Sequence, residues 1–501
     1  MTETAPTPEA SPPSASSGRP TVGKAVSYGL MPVLALALTV ALESGERQSL
    51  AQAVDGIQSE FSVSDDAIGA LAAAMAVIGT VGSIPIGMLA DRLRRTRLLG
   101  GAMGVWTGGM VLSGIAPGYN SLFAARLSVG AVEGNGPAAV SLLADYYPVR
   151  KRAKMFGLYQ SGALVGGLVG LVAGGFVVDA HGWRWAFWMW VPAGVAVATY
   201  MWTRPEPERG GQDDDLATAD VSDDAGPLAA GPLSPEAAGL VDEETAVDVL
   251  DALDLPPPDR VGTLDYRSAT WRQVIGELWR IRSMWLAVVA LTLSNFLLAG
   301  LQFWGVEFFK REHDLSAGGA GLYTGLFGLG AAVGVLGGGF VSDRYLRRGV
   351  VNARIYVVSA ASVVASIVLA PAFLVGNLAA AAPLFVIGGA ALTMPVAPGE
   401  AMMNDVVVAP LRGRAGSVRS VCRSVGALSP LVIGVLSEAF GLATALVVVT
   451  PAYAVGGIVV LLAARTYGGD LAFVAAETER IRALRDTSAA DPRPGDPDGT
   501  P

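Results

Sequence analysis

Twelve apolar stretches, each about the length that carries a helix across a bilayer, constrain this chain's fold more than any motif. A spanning helix needs about 20 predominantly apolar residues. Such stretches lie at 26–50, 66–90, 98–116, 120–144, 153–178 and 183–203, then at 284–308, 317–341, 351–371, 375–403, 413–437 and 442–464. In hydrocarbon every backbone N–H and C=O has to be paired internally, so each stretch is expected to be helical. The 501 residues are 52% hydrophobic and only 16% charged, which excludes an ordinary soluble enzyme.

The second six stretches repeat the first six. Gly87, Asp91, Arg92 and Arg95 return as Gly339, Asp343, Arg344 and Arg347, all displaced by 252 positions. Farther on, Pro148, Arg150, Arg152 and Ala153 return as Pro410, Arg412, Arg414 and Ala415, displaced by 262. Two separate matches of this kind indicate a duplicated six-helix unit, with each charged cluster in a short loop between spans.

Charge sets the expected orientation, because basic residues are retained in short cytosolic loops. They fall in alternate loops: Arg92 to Arg97, Arg150 to Lys154, Arg344 to Arg348, and Arg412 with Arg414. The exception is Lys310 and Arg311, which Glu312 and Asp314 are expected to offset. Both termini then face the cytosol of a multi-pass inner-membrane protein. The net charge of −9 comes from one hydrophilic insert: residues 206–259 hold sixteen Asp and Glu against Arg209 alone, and the rest of the chain is positive by about six. The expected organisation is a disordered cytosolic tail (1–24), a first bundle (25–203), an acidic cytosolic linker (204–282), a second bundle (283–464) and a cytosolic tail (465–501). Within the linker, 235–254 suits a transient acidic helix and 270–283 a basic helix on the membrane surface.

With Cys422 as the single cysteine and only His181 and His313, neither an intrachain disulfide nor a metal centre is expected. The chain has no Gly-Lys-Ser/Thr phosphate loop, so ATP is disfavoured as the direct energy source. No cofactor and no nucleic-acid partner are expected, and a monomer is.

Twelve spans, related halves and Gly-x-x-x-Asp-Arg after spans two and eight resemble the major facilitator superfamily of secondary transporters. The resemblance implies an all-α membrane protein whose twelve transmembrane helices form two pseudo-symmetric six-helix bundles. It also implies gating at the cytosolic side by Gly87, Asp91, Arg92 and Arg95, and by Gly339, Asp343, Arg344 and Arg347. Arg126, Gly130 and Glu133 in span four, Glu46-Arg47 in span one, Gly-Trp-Arg-Trp-Ala-Phe at 182–187 and Leu-Gln-Phe-Trp at 301–304 are similar to the spinster-like branch. That branch is associated with proton-linked movement of lysolipids and sphingolipid-like amphiphiles. Glu46 stands where many relatives have Asp, and Glu43 is an additional acid one turn earlier.

Embedded charges cost about 2.5–3.5 kcal/mol each on insertion scales, so they tend to be functional or paired. Glu43, Glu46 and Arg47 share one helix face, in the favourable orientation for a Glu43–Arg47 pair. Arg126 and Glu133 lie on similar faces but roughly 10 Å apart along the axis, too far to pair. Glu46 is expected to face Arg126, with Glu133 deeper and exchanging a proton, and Gly130 leaving a notch between them. The alternative places 43–48 at the outer interface. In the second half, Glu400 follows Pro395, Pro398 and Gly399 in an expected helix break and is a second protonation candidate. Arg419 and Arg423 either form a cationic face or, as favoured for Arg419, snorkel to the interface. Asn295, Phe303 and Trp304 are candidates for a substrate path or for plain packing. Gly162, Gly166, Gly170 and Gly174 are expected to allow close helix approach.

The expected function is secondary active transport, proton-coupled, of an amphipathic or hydrophobic small molecule by alternating access within the lipid bilayer, and not catalysis. Alternatives are a drug-exporting proton antiporter, an organic-anion symporter, or a non-transporting sensor or scaffold that recruits a partner through the linker.

Overall fold

Helices that are apolar all round have no polar face to turn to water, so they bury against one another or against lipid. The computed structural model describes residues 29–147, 149–207, 256–257 and 270–490; a few side chains within these ranges, Asp91 and Arg423 among them, lie outside the described set. The tail 1–24 and the segment 235–254 also fall outside it. Among the described residues all regular structure is helical. The first half holds α1 (Met31–Gln52), α2 (Val54–Phe61), α3 (Asp65–Arg92), α4 (Arg95–Gly114) and α5 (Tyr119–Val132). It continues with α6 (Gly136–Tyr146), α7 (Val149–His181), α8 (Trp185–Trp188) and α9 (Val191–Thr203). The second half holds α10 (Trp271–Arg280), α11 (Arg282–His313), α12 (Ala317–Leu346), α13 (Ala353–Ala372) and α14 (Leu378–Thr393). After these come α15 (Val396–Asp405), α16 (Arg412–Arg423), α17 (Ser429–Phe440), α18 (Leu442–Val460) and α19 (Tyr467–Ala490).

Each expected apolar stretch coincides with one helix or a run of consecutive ones, and seven helical stretches among the described residues are long and apolar enough to cross a membrane. Span four is not one helix: α5 gives way to a 3-10 turn, Glu133–Asn135, before Pro137 opens α6. Proline is well suited to a helix's first turn, where its missing N–H is not needed. The break expected near Pro395 falls between α14 and α15.

Helix pairing in one half is repeated in the other. The close pairs α1 with α7, α3 with α5 and α4 with α9 correspond to α11 with α17, α12 with α14 and α13 with α18. The halves meet through α3 against α17 and α7 against α12. Close approach of α7 to α1 depends on the four-residue glycine ladder: a Cβ on Gly162, Gly166 or Gly170 would strike the backbone of Ala37, Ala41 or Gly45, and one on Gly174 would meet Ser49 Oγ at 2.7 Å. With 37, 41, 45 and 49 held by α7, the face of α1 bearing Glu43 and Glu46 is turned toward α5 and α6.

Two sequence expectations change. Asp91 and Arg92 are the last residues of α3, and Asp343 and Arg344 lie in the last turn of α12, so the repeated cluster occupies helix ends as well as loops. The tail expected from 465 begins as a helix, α19, whose Tyr467, Leu471, Phe473 and Val474 are buried against the second-half core. The surface helix expected at 270–283 corresponds to α10: Val274 and Leu278 are buried, whereas Trp271, Ile275 and Trp279 form an exposed stripe.

Candidate functional site

The apolar surroundings of α1 and α5 leave a buried charge little choice but to find a partner. Glu46 and Arg126, both fully buried, are paired through Glu46 Oε1 and Arg126 Nη2. Arg126 also donates to Met110 Sδ at 3.7 Å and lies over the Phe187 ring, 5.2 Å from its centroid. Glu43 is buried too, and Asn135 Nδ2 donates to its Oε1 at 2.9 Å. Arg47, more than half exposed, approaches Glu133 Oε2 at 3.7 Å. The favourable Glu43–Arg47 pair expected along α1 is therefore not the one formed; tertiary partners on span four take both side chains.

The 3-10 turn positions Glu133 and Asn135. A helix broken there aims Asn135 at Glu43 and lets Glu133 meet Arg47. Gly130 faces the backbone of α3 and not an open gap between Arg126 and Glu133: a Cβ on it would meet the Met75 carbonyl oxygen at 2.8 Å and push α5 off α3. Among the described residues, Glu46 Oε2, Glu133 Oε1 and Arg126 Nε are buried without a hydrogen-bond partner.

In the second half, Glu400 is half-buried on α15. Arg419 does not snorkel: it is buried and donates to Asn404 Oδ1 at 2.9 Å. Trp304 is fully buried, with its indole N–H on the Pro430 carbonyl at 2.9 Å, and Phe303 packs edge-on against it. Asn295 is half-buried where α11 meets the 424–428 turn, close enough for a Cβ on Gly426 to touch its Nδ2 at 2.6 Å.

The repeated clusters differ in their contacts. In the first half, Arg95 is buried and binds Asp145 at 2.5 Å, Glu206 at 2.7 Å and Ser141 at 2.8 Å. Burial pushes the Glu206 carboxyl up, but hydrogen bonds from the Thr96 backbone and from Arg95 outweigh it and hold the group below its ordinary range. In the second half this role falls to Arg354, not to Arg347, which is exposed. Arg354 lies 3.8 Å from Asp343 and is paired with Asp405, to which Tyr467 Oη also donates at 2.7 Å. The second-half loop, 347–352, is four residues longer than its counterpart, 93–94, and Arg354, in the first turn of the next helix, stands seven positions beyond the arginine that the 252-residue offset equates with Arg95. Gly87 has open space around it, Gly339 is in ordinary contact with Ala397, and Arg92 and Arg344 are exposed.

Sequence reasoning missed a polar clamp between the halves. Arg311 binds Asp65 at 2.7 and 2.8 Å, Gln58 at 2.8 Å and Glu307 at 2.6 Å. Ser437 donates to Asp65 at 2.5 Å, and Lys310 binds Asp55 at 2.6 Å. Asp179 accepts from the N–H groups of Ala317 and Gly318 at 2.9 and 2.8 Å, placing a carboxylate at the start of α12, where the helix dipole favours it. Lys310 and Arg311 are thus offset by Glu307, Asp55 and Asp65, not by Glu312 and Asp314. Their departure from the positive-inside pattern was the available clue.

The Major Facilitator Superfamily profile matches residues 36–427, and a second match covers 305–489. This chain belongs to the Major Facilitator Superfamily. Among characterised and uncharacterised relatives, a D-galactonate transporter of Escherichia coli O6:H1 is 25% identical over 437 residues, 85% of this chain and 93% of that one. An uncharacterized MFS-type transporter of Mycobacterium tuberculosis is 36% identical, but over only 126 residues, so the match spans 18% of that relative and 24% of this chain. A solved bacterial homolog of the human lysosomal transporter Spinster, in an inward-facing and occupied conformation, superposes with a TM-score of 0.68 at 21% identity, covering 87% of this chain and 97% of its own. The superfamily member described here is accordingly an all-α, multi-pass membrane protein resembling the spinster-like branch, in a family of transporters that move small molecules.

Proposed function

We propose that this chain is a proton-coupled secondary transporter, not an enzyme, and that it moves an amphipathic or hydrophobic small molecule by alternating access. The observation that carries this reading is the cluster of Glu43, Glu46, Glu133 and Arg126 inside the first half, with the partly exposed Arg47 at its edge. Three carboxylates face two guanidinium groups, so full ionisation leaves one negative charge that a single proton removes. Desolvated charge is costly, which ties the number of bound protons to the arrangement of α1 against span four. We assign the exchanging proton to Glu133, whose contact with Arg47 is the loosest of the set, and leave Glu400 as a second protonation site.

The clamp around Asp65 and Arg311 supports rocking of two six-helix halves, 25–203 and 283–464, about that buried group. On the expected orientation, with both termini cytosolic in the inner membrane, the clamp closes the outer side. Asp91, Arg92, Arg95 and Gly87, with Gly339 and Asp343, then act at the cytosolic side. The solved Spinster homolog is described as inward-facing, consistent with this arrangement. An amphiphilic substrate is supported by the likeness to that protein, and Asn295 near the break in span eleven is the polar group we place beside its path.

A second reading, organic-anion symport, is favoured by the length of the match to the D-galactonate transporter. Export of cationic drugs gains a little from a 34% identical stretch of 122 residues in the multidrug export protein EmrB of Haemophilus influenzae. Purified protein in liposomes under an imposed pH gradient separates these, with lysolipid, galactonate and a cationic dye as cargo. Flux of lysolipid that is driven by the gradient and loses its pH dependence in Glu133→Gln is the expected result. Gradient-driven flux that keeps its pH dependence in a normally inserted Glu133→Gln protein removes that residue from coupling.

A further inference from the structure

The second half carries a groove that the transport reading does not use. It measures about 540 Å³ and is walled almost wholly by carbon, from Val341 and Tyr345 of α12, Tyr356, Ala360 and Val364 of α13, and Met394 beyond α14. That volume is typical of a small-molecule site. The helix surface beside it faces outward: Val333, Leu336 and Phe340 of α12 and Ile367 of α13 are all well exposed, as expected of a surface that lipid covers.

One end of the groove is cationic. Tyr345 and Val350 line that end; the turn between them presents Arg347 and Arg348, and Arg344 stands just before it in the last turn of α12, all three exposed and none in a salt bridge among the described residues. The Arg348 guanidinium lies over the Tyr345 ring, 5.8 Å from its centroid, which holds one of these charges at the mouth of the groove. The neighbouring carboxylate, Asp343, lies 3.8 Å from Arg354 and within electrostatic reach of Arg347. An apolar slot opening on lipid, with unpaired guanidinium groups at its interfacial end, matches a molecule with a long hydrocarbon tail and an anionic phosphate head.

We propose that this groove holds one acyl chain of an anionic phospholipid, drawn from the leaflet on the side of the 344–349 turn, with its phosphate on Arg344, Arg347 and Arg348. Guanidinium groups suit phosphate through charge-assisted, forked hydrogen bonds, and basic side chains near a membrane surface favour anionic lipid over zwitterionic lipid. The site is separate from the buried group of α1 and α5, so it does not depend on how transport is coupled.

The full-length protein, reconstituted in nanodiscs of equal phosphatidylglycerol and phosphatidylcholine with matched chains and then released into mild detergent, can be weighed intact by native mass spectrometry. Retained phosphatidylglycerol should exceed phosphatidylcholine. It should fall roughly tenfold in Arg344→Gln/Arg348→Gln, where two surface charges are lost. Ala360→Trp, which fills the groove and leaves the arginines in place, should reduce it as well, and this second variant keeps the test open if the first does not fold. Excess inorganic phosphate should not displace the lipid. Equal retention of the two lipids, no effect of Ala360→Trp, or displacement by phosphate alone would each overturn the proposal.

Discussion

Arg311 grips Asp65 with both terminal nitrogens, at 2.7 and 2.8 Å, and so ties α11 of the second half to α3 of the first. Hydrogen bonds to charged groups contribute about 1.5–3 kcal/mol each when a partner is removed. Arg311→Gln should therefore shift the balance between closed and open arrangements at this end by roughly tenfold or more. Spin labels at Ser59 and Glu312, in a Cys422→Ser background, read the separation directly. A longer distance is expected in Arg311→Gln, and an unchanged distribution would rule out a clamp.

The Glu46–Arg126 pair is buried on both sides, so breaking it differs from replacing it. Arg126→Met leaves a lone carboxylate in the core and should cost about 3–5 kcal/mol. Adding Glu46→Leu removes that charge, and thermal unfolding should recover most of the loss while proteoliposome flux stays absent. A single variant as stable as the parent would mean that Glu46 is not held ionised there.

Gly166 and Gly167 are neighbours with opposite tolerances. A Cβ on Gly166 runs into the Ala41 backbone, whereas one on Gly167 meets nothing within 4 Å. Gly166→Ala should destabilise the protein by about 1–3 kcal/mol through forced separation of α1 and α7, and Gly167→Ala should be close to neutral. Equal melting temperatures for the two variants would contradict the interlocked ladder.

Outside the spans, hydrogen bonds from Arg184 and Trp183 hold the Glu60 carboxyl down at about 2, against an ordinary value of 4.5. A depressed folded-state value stabilises fully above the ordinary one and loses that contribution as pH falls toward 2. The stability gap between the parent and Glu60→Gln should be constant at neutral pH and close between pH 4.5 and pH 2. Both partners are partly solvated, so the gap itself should be small. A gap that widens on acidification has the wrong sign.

Much of the architecture was legible in one dimension because its causes are local. Gly162 to Gly174 announce a close helix contact by spacing alone, and Pro395 and Pro398 mark a break, since a missing N–H acts where it stands. The site was legible only in part. Glu46 and Arg126 stand out as embedded charges, and Gly134, Gly136 and Pro137 mark a break after Glu133, yet nothing local says that the break brings Asn135 onto Glu43, and the offset that equates Arg95 with Arg347 fails once one loop is longer than its counterpart.

What the sequence determined by itself was the helical, duplicated membrane body, because hydrocarbon compels every apolar stretch to satisfy its own backbone. Which charge meets which was decided by the tertiary structure. Glu46 and Arg126 are 80 residues apart, and Asp65 and Arg311 are 246 apart. Their pairing depends on how helices rotate and tilt when glycine ladders and apolar faces close on one another, and an ion pair reports only the geometry that this packing allows.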